Sequence, residues 1–356
     1  MRILDLPDPT IVNPKRLAKE RSAEVCGQCH AYATLPGGFY EGSWPYFRSG
    51  KKLEQHFTVS DTTARDAEHM FWPDGSARTG GREYNSMLLS GCFTNGEMSC
   101  VSCHSLHGSE PLDLIEPAMN GDKACLQCHS EFSGNIARHT FHEPESSGSR
   151  CLNCHMPYTS YGLLSTARSH RVDSPATTGQ TTRDRPNACN LCHLDKTLAW
   201  TAEQLSNRYG TPSITLADEH NNIAASVLWA LRGDAAQRAI VAWHMGQPWA
   251  LEVSGKNWVE PYLSRLLVDP YSVVRLIAHR SLTQLGGENI PFDYLGNEQE
   301  REQVMQTYLD SWQQNTESLD QVLPPATLLE GPGRVRWDVV ENIYQQRDNR
   351  RLLISE

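Results

Sequence analysis

The chain has 356 residues and a formal net charge of −10, which excludes the basic footprint of a nucleic-acid-binding protein. Only 39% of its residues are apolar, below the average for a soluble domain, so side chains alone make a thin core for a chain of this length. No run of about 18 apolar residues occurs, so no membrane span is expected, and the length allows two domains.

The segment Met1 to Pro7 has no apolar stretch after its charge, so it does not read as a signal peptide. Residues 1 to about 200 are rich in Gly, Ser, Pro and Thr, as in Leu35 to Gly38, Glu143 to Ser149 and Asp173 to Gly179. Little periodicity is sustained there, and the expectation is loops with short helices.

Into this stretch the pattern Cys-x-x-Cys-His is written five times: Cys26–Cys29–His30, Cys100–Cys103–His104, Cys125–Cys128–His129, Cys151–Cys154–His155 and Cys189–Cys192–His193. This is the attachment signature of c-type haem. Two thiols at this spacing each add to a vinyl group of one porphyrin, and the histidine that follows becomes the proximal iron ligand. Five matches use ten of the eleven cysteines. Structural zinc also uses Cys-x-x-Cys pairs, but it has no need of a histidine after every second cysteine, and paired knuckles leave one pair over. Five covalent haems, each with its iron, are expected. Such attachment takes place outside the bacterial cytoplasm, so a periplasmic or extracellular location is expected. The first motif stands apart. The others start at residues 100, 125, 151 and 189, or 25, 26 and 38 residues apart, and this favours closely packed porphyrins.

From about Asp195 the pattern changes to apolar residues at three- and four-residue steps. Helices are expected over 198–205, 224–231, 236–243, 259–267, 271–282 and 298–309. The segment Asp269 to Arg275 resembles the turn and second helix of a HEAT repeat, with Pro270 where a helix begins. Roughly two repeats fit, a short stack. The tail beyond Pro324 carries no clear signal. The fold class is therefore mainly α: a loop-rich pentahaem cytochrome c domain with few strands over 1–197, then an all-α HEAT-like domain over 198–356.

Five low-spin haems need five further ligands. His107, three residues after His104, is suited to a neighbouring haem rather than its own. His139 and His142 fall between the third and fourth motifs, and His170 between the fourth and fifth. These four are expected as axial ligands, with His56 and His69 competing for the remaining place. His220, His244 and His279 lie in the helical part and read as packed or surface residues. Met98 and Met156 are read as apolar packing rather than thioether ligands, and Cys92, the unpaired cysteine, as an inert thiol.

The segments Ile11 to His30, Phe71 to Gly75, Gly81 to Asn85, Cys151 to Pro157 and Arg185 to Cys189 together resemble large multihaem cytochromes c with doubled Cys-x-x-Cys-His motifs and a C-terminal HEAT or tetratricopeptide array. The resemblance covers most of residues 11–290. It implies motif roles for His107, His139, His142 and His170; His56 and His69 match no motif of the family. It also implies further haem motifs upstream of such a region, and so an upstream segment or a partner chain as another source of the first haem's sixth ligand. The function implied is electron transfer, with redox proteins and other copies of the chain as partners. Two other readings stay open. One is an oxidoreductase with one open iron acting on a small nitrogen or sulfur compound, although no Cys-x-x-Cys-Lys motif is present. The other is a haem-bearing filament or complex subunit.

Overall fold

The computed structural model describes residues 11–35, 47–177, 183–286, 289–317 and 323–352. The expected loop residues Pro36 to Gly38, the residues Thr178 and Gly179, and the Met1 to Pro7 segment lie outside them. The chain is mainly helical, and its strands are short.

In the first part, α1 (Lys19–His30) carries the whole first motif on its last turns. Cys26, Cys29 and His30 lie three and four residues apart, on one face of the helix. Strands β1 (Ala33–Thr34) and β2 (Thr58–Val59) pair antiparallel behind it. Helix α2 (Glu83–Met87) packs against α1. The contact needs Gly27, because a Cβ there would stand 2.9 Å from the Tyr84 ring. Ala23, Ala31, Leu53, Tyr84, Met87 and Phe93 form a small core under this pair. Helix α3 (Ile136–Thr140) and helix α4 (Cys151–His155) follow, the latter coinciding with the fourth motif. The second and fifth motifs begin as single 3-10 turns at Cys100–Ser102 and Cys189–Leu191. Between α4 and the fifth motif, β3 (Ser160–Gly162) and β4 (Ser165–Ala167) form a hairpin.

The second part is built of helices where the apolar periodicity expects them. Helix α5 (Leu198–Tyr209) starts where the Thr197 hydroxyl accepts from the Trp200 N–H at 3.0 Å, and ends on left-handed Gly210. Helices α6 (Ala225–Arg232) and α7 (Ala235–His244) make one pair. The Asp234 carboxylate caps α7 and the Gln237 side chain returns the bond, a capping box. Helix α8 (Pro248–Ser254) was not expected from the periodicity. The second predicted pair is α9 (Glu260–Arg265), extended by a 3-10 turn, and α10 (Ser272–Gln284). Helix α11 (Glu298–Thr316) is capped by Asn297 and runs well past the predicted end. The tail adds the hairpin β5 (Leu329–Gly331) and β6 (Arg334–Val335), then α12 (Trp337–Tyr344), which packs on α6.

One large apolar core runs through these helices, and it does not stop at residue 197. Trp72, Tyr161, Leu191 and Leu194 belong to it. The Trp72 indole N–H donates to the Thr159 carbonyl at 3.1 Å. The β3–β4 hairpin lies on α7, and the buried Arg78 guanidinium pairs with Asp234 at 2.6 Å. No helix among the described residues is long and apolar enough to cross a membrane.

Candidate haem-binding site

An imidazole nitrogen sits about 2 Å from a first-row metal ion, so two imidazoles straddling one iron have ring centres roughly 6 Å apart. Three histidine pairs have this separation. His104 faces His170 at 6.2 Å with the rings 23° from parallel. His155 faces His139 at 6.1 Å and 9°. His193 faces His142 at 6.1 Å and 37°. Each pair joins the histidine of a Cys-x-x-Cys-His motif to a histidine outside any motif.

The other ring nitrogen of most of these histidines is already engaged. Nδ1 of His104 bonds the Asp113 carbonyl at 2.9 Å, and Nδ1 of His155 bonds that of Asp173 at 2.8 Å. His142 uses the Thr140 carbonyl at 2.7 Å and His170 the Arg168 carbonyl at 3.2 Å. A carbonyl only accepts, so each Nδ1 carries the proton and Nε2 is left with a lone pair for a metal. Burial pushes His193 down to about 4 and lowers His139 and His170, which keeps all three neutral, the ligating form, at pH 7.

The supporting residues are held in turn. Asp173, whose carbonyl fixes His155, is itself gripped by Arg185 at 2.8 Å and Arg171 at 3.0 Å. The Arg168 guanidinium donates to the Leu152 and Met156 carbonyls at 2.8 and 3.0 Å and to Asn153 at 2.8 Å, closing the C-terminal end of α4. Arg168 thus clamps the fourth motif while its own carbonyl steers His170 toward the second. His139 lies in the last turn of α3, and left-handed Phe141 (φ 57°) turns the chain so that His142, three residues on, faces a different motif. Trp200 of α5 lies against His193 at 4.8 Å.

The thiols are ordered in space as in sequence. Cys26 and Cys100 are within hydrogen-bonding reach, and so are Cys125 and Cys151. Cys103 stands near Cys128. Cys154 stands near both Cys189 and Cys192. Each motif therefore lies beside the next. Cys92 is near Cys103 and Cys125.

His30 differs from the other motif histidines. Its Nδ1 is bonded at 2.8 Å to a carboxylate, Oε2 of Glu83. His129 has only a long, exposed approach to Glu131 at 3.5 Å. Among the described residues, no ring contact pairs a second imidazole with His30 or His129. His107 is exposed and tied to Ser105 through its backbone. His56 ends the 3-10 turn Leu53–Gln55 with its ring against Phe47 at 5.8 Å. His69 lies in the short helix Ala67–Met70, its buried Nδ1 without a hydrogen-bond partner. None of these three faces a motif histidine. His279 is packed against Phe292 and Tyr308 and bonds the Ile290 carbonyl at 2.9 Å; His220 and His244 are buried.

Thiol pairs at the attachment spacing and paired imidazoles with free Nε2 atoms fit haem c. A family described as the doubled CXXCH motif matches residues 92–134. The chain carries a multihaem cytochrome c-like region. Through its CXXCH motifs it binds haem c covalently, and with it iron. No curated protein and no solved structure matches the chain.

The sequence alone assigned no role to Glu83 or Arg168, although Glu83 falls in the Gly81 to Asn85 segment that carries the resemblance. Glu83 lies in Gly-Arg-Glu-Tyr-Asn, 53 residues from His30, and local spacing carries no signal across such a gap.

Proposed function

We propose that the protein transfers electrons along a row of five covalently bound c-type haems outside the cytoplasm. The observation that carries this reading is the set of three imidazole pairs 6.1–6.2 Å apart. His104 with His170, His155 with His139, and His193 with His142 hold the second, fourth and fifth irons from both sides. Haem c supplies one-electron chemistry between ferric and ferrous iron. Saturated axial positions keep each iron low-spin, so little geometry changes with redox state, and burial and nearby charge set the potential. His30 and His129 are the proximal ligands of the first and third irons. Their partners come from His56, His69 or His107 after rearrangement, or from another chain. The ordering of the thiols supports a row that follows the sequence, first motif to fifth. Redox proteins, or further copies of the chain, dock at its ends. The helical part supports the row, and its two helix pairs are the HEAT-like element.

Two measurements on one sample test this. The mass of the denatured protein counts the haems that stay attached, and five are expected. The spectrum of the reduced protein with and without carbon monoxide then counts open irons. At most two haem equivalents are expected to respond. A response from three or more overturns the bis-histidine assignment, and turnover of a small nitrogen or sulfur compound at a responding iron turns the reading toward an oxidoreductase.

A further inference from the structure

We propose that Glu83 makes the haem of the first motif the lowest-potential centre of the row, so that an electron entering there passes downhill to its neighbour. The inference rests on the reading of His30 as an axial ligand. Among the described residues, His30 alone of the motif histidines has its Nδ1 in a short bond to a carboxylate, 2.8 Å from Glu83 Oε2; His104 and His155 bond neutral backbone carbonyls. The carboxylate is positioned from its other side as well. Its Oε1 accepts the Gly81 N–H at 2.6 Å, and α2, on which it rides, is fixed by Tyr84 against Gly27 of α1. The Glu83 side chain is 27% exposed and the His30 side chain 56%, so water screens part of the interaction.

The chemistry has one sign. A hydrogen bond to an anion is shorter and about twice as strong as one to a neutral acceptor. It draws the Nδ1 proton away from the ring and makes Nε2 a stronger donor to iron. A stronger donor and a nearby negative charge both favour the ferric state. The couple is one electron at iron, Fe(III) plus one electron giving Fe(II), with no bond made or broken and the proton kept in the His30–Glu83 bond. Glu83 is a positioning residue, acting on iron through His30. The thiol neighbours place this centre at one end, because Cys26 adjoins Cys100 while Cys189 and Cys192 lie near Cys154.

The test is a spectroelectrochemical titration of the full, haem-loaded chain and of Glu83→Gln, with Glu131→Gln as control for losing a carboxylate beside a motif histidine. In Glu83→Gln one of the five potentials, the lowest, rises by an order of magnitude in its reduction equilibrium, about 59 mV for one electron. The other four stay in place, and Glu131→Gln moves none by half as much. Unmoved potentials in Glu83→Gln, or equal shifts in both variants, overturn the inference. The native protein gives a second readout that needs no variant: the near-infrared charge-transfer band of one ferric haem in five lies at higher energy than the rest. Its absence also overturns the inference. Peptide mass mapping separates the two layers: a Cys26–Cys29 peptide without haem defeats the haem reading itself, whereas haem present with unmoved potentials defeats only the role of Glu83.

Discussion

Gly148 is a residue whose lack of a side chain does the work. A Cβ at this position would stand 2.3 Å from Cδ2 of His142, closer than any carbon–carbon contact allows, so the His142 ring occupies the space a side chain would fill. His142 in turn is held by the Thr140 carbonyl and faces His193. If His142 ligates the iron proposed beside His193, Gly148→Ala is expected to push its ring off that iron without touching Cys189 or Cys192. The denatured mass stays that of the native protein, while carbon monoxide binding to the reduced protein rises by about one haem equivalent. An unchanged carbon monoxide response would show that His142 is not a ligand.

Among the elements, α9 carries a carboxyl at its N-terminal end in a poor environment. Burial pushes Glu260 up from 4.5 to about 7. The folded protein thus holds the proton more tightly than the unfolded chain does. The corresponding stability is fully present below about pH 4.5 and is lost as pH rises through about 7. Glu260→Gln removes this loss. Discounted for the partial exposure of the group, the gain is on the order of 1–2 kcal/mol at pH 8. The thermal midpoint of the variant should exceed that of the native protein at pH 8 and match it near pH 4; an equal offset at both pH values would mean that ionisation is not the cause. The β3–β4 hairpin also breaks a local rule. Its turn residues Leu163 and Leu164 both adopt positive φ (51° and 57°) where Asn-Gly is the usual choice, and Leu163 is 88% exposed. The Arg280 guanidinium of α10 donates to the Leu164 carbonyl at 3.1 Å and helps hold the turn.

For the whole molecule, the connection between the haem-bearing part and the helices rests on buried charge as well as apolar contact. Arg78 and Asp234 are 3% and 0% exposed and meet at 2.6 Å, with the Arg78 guanidinium stacked on Trp72 at 4.0 Å. Asp234 is also the cap of α7. Removing one member of such a pair leaves an uncompensated buried charge, which costs about 3–5 kcal/mol, with roughly 1 kcal/mol more for a lost cap. Asp234→Ala should lower denaturant stability by about that sum. Asp234→Asn keeps the cap and should lose less. Equal losses would show that charge pairing, not capping, dominates. A second buried pair, Arg238 with Asp269 at 2.6 Å, ties α7 to the turn before α10.

Much of this was legible in the residues alone. The attachment sites are local: two thiols and a histidine within five positions define a covalent chemistry wherever the chain goes, so CXXCH announces haem c with no knowledge of the fold. The helices after residue 197 were equally legible, because an amphipathic period repeats over ten or more residues; α8, short and led by Pro248, carried too little of it. The histidines at 139, 142 and 170 could be picked out as candidates, but nothing in their spacing says which motif each one faces. Those pairings depend on the turn at Phe141 and on the grip of Arg168, and they join positions as far apart as 104 and 170. Glu83 beside His30, Gly148 beneath His142 and Arg78 against Asp234 arise in the same way. The sequence by itself determined the cofactor, because covalent attachment needs only neighbouring residues. Only the tertiary structure decided which imidazoles face one another and which of them meets a carboxylate, because those contacts exist only once distant segments share one packed core.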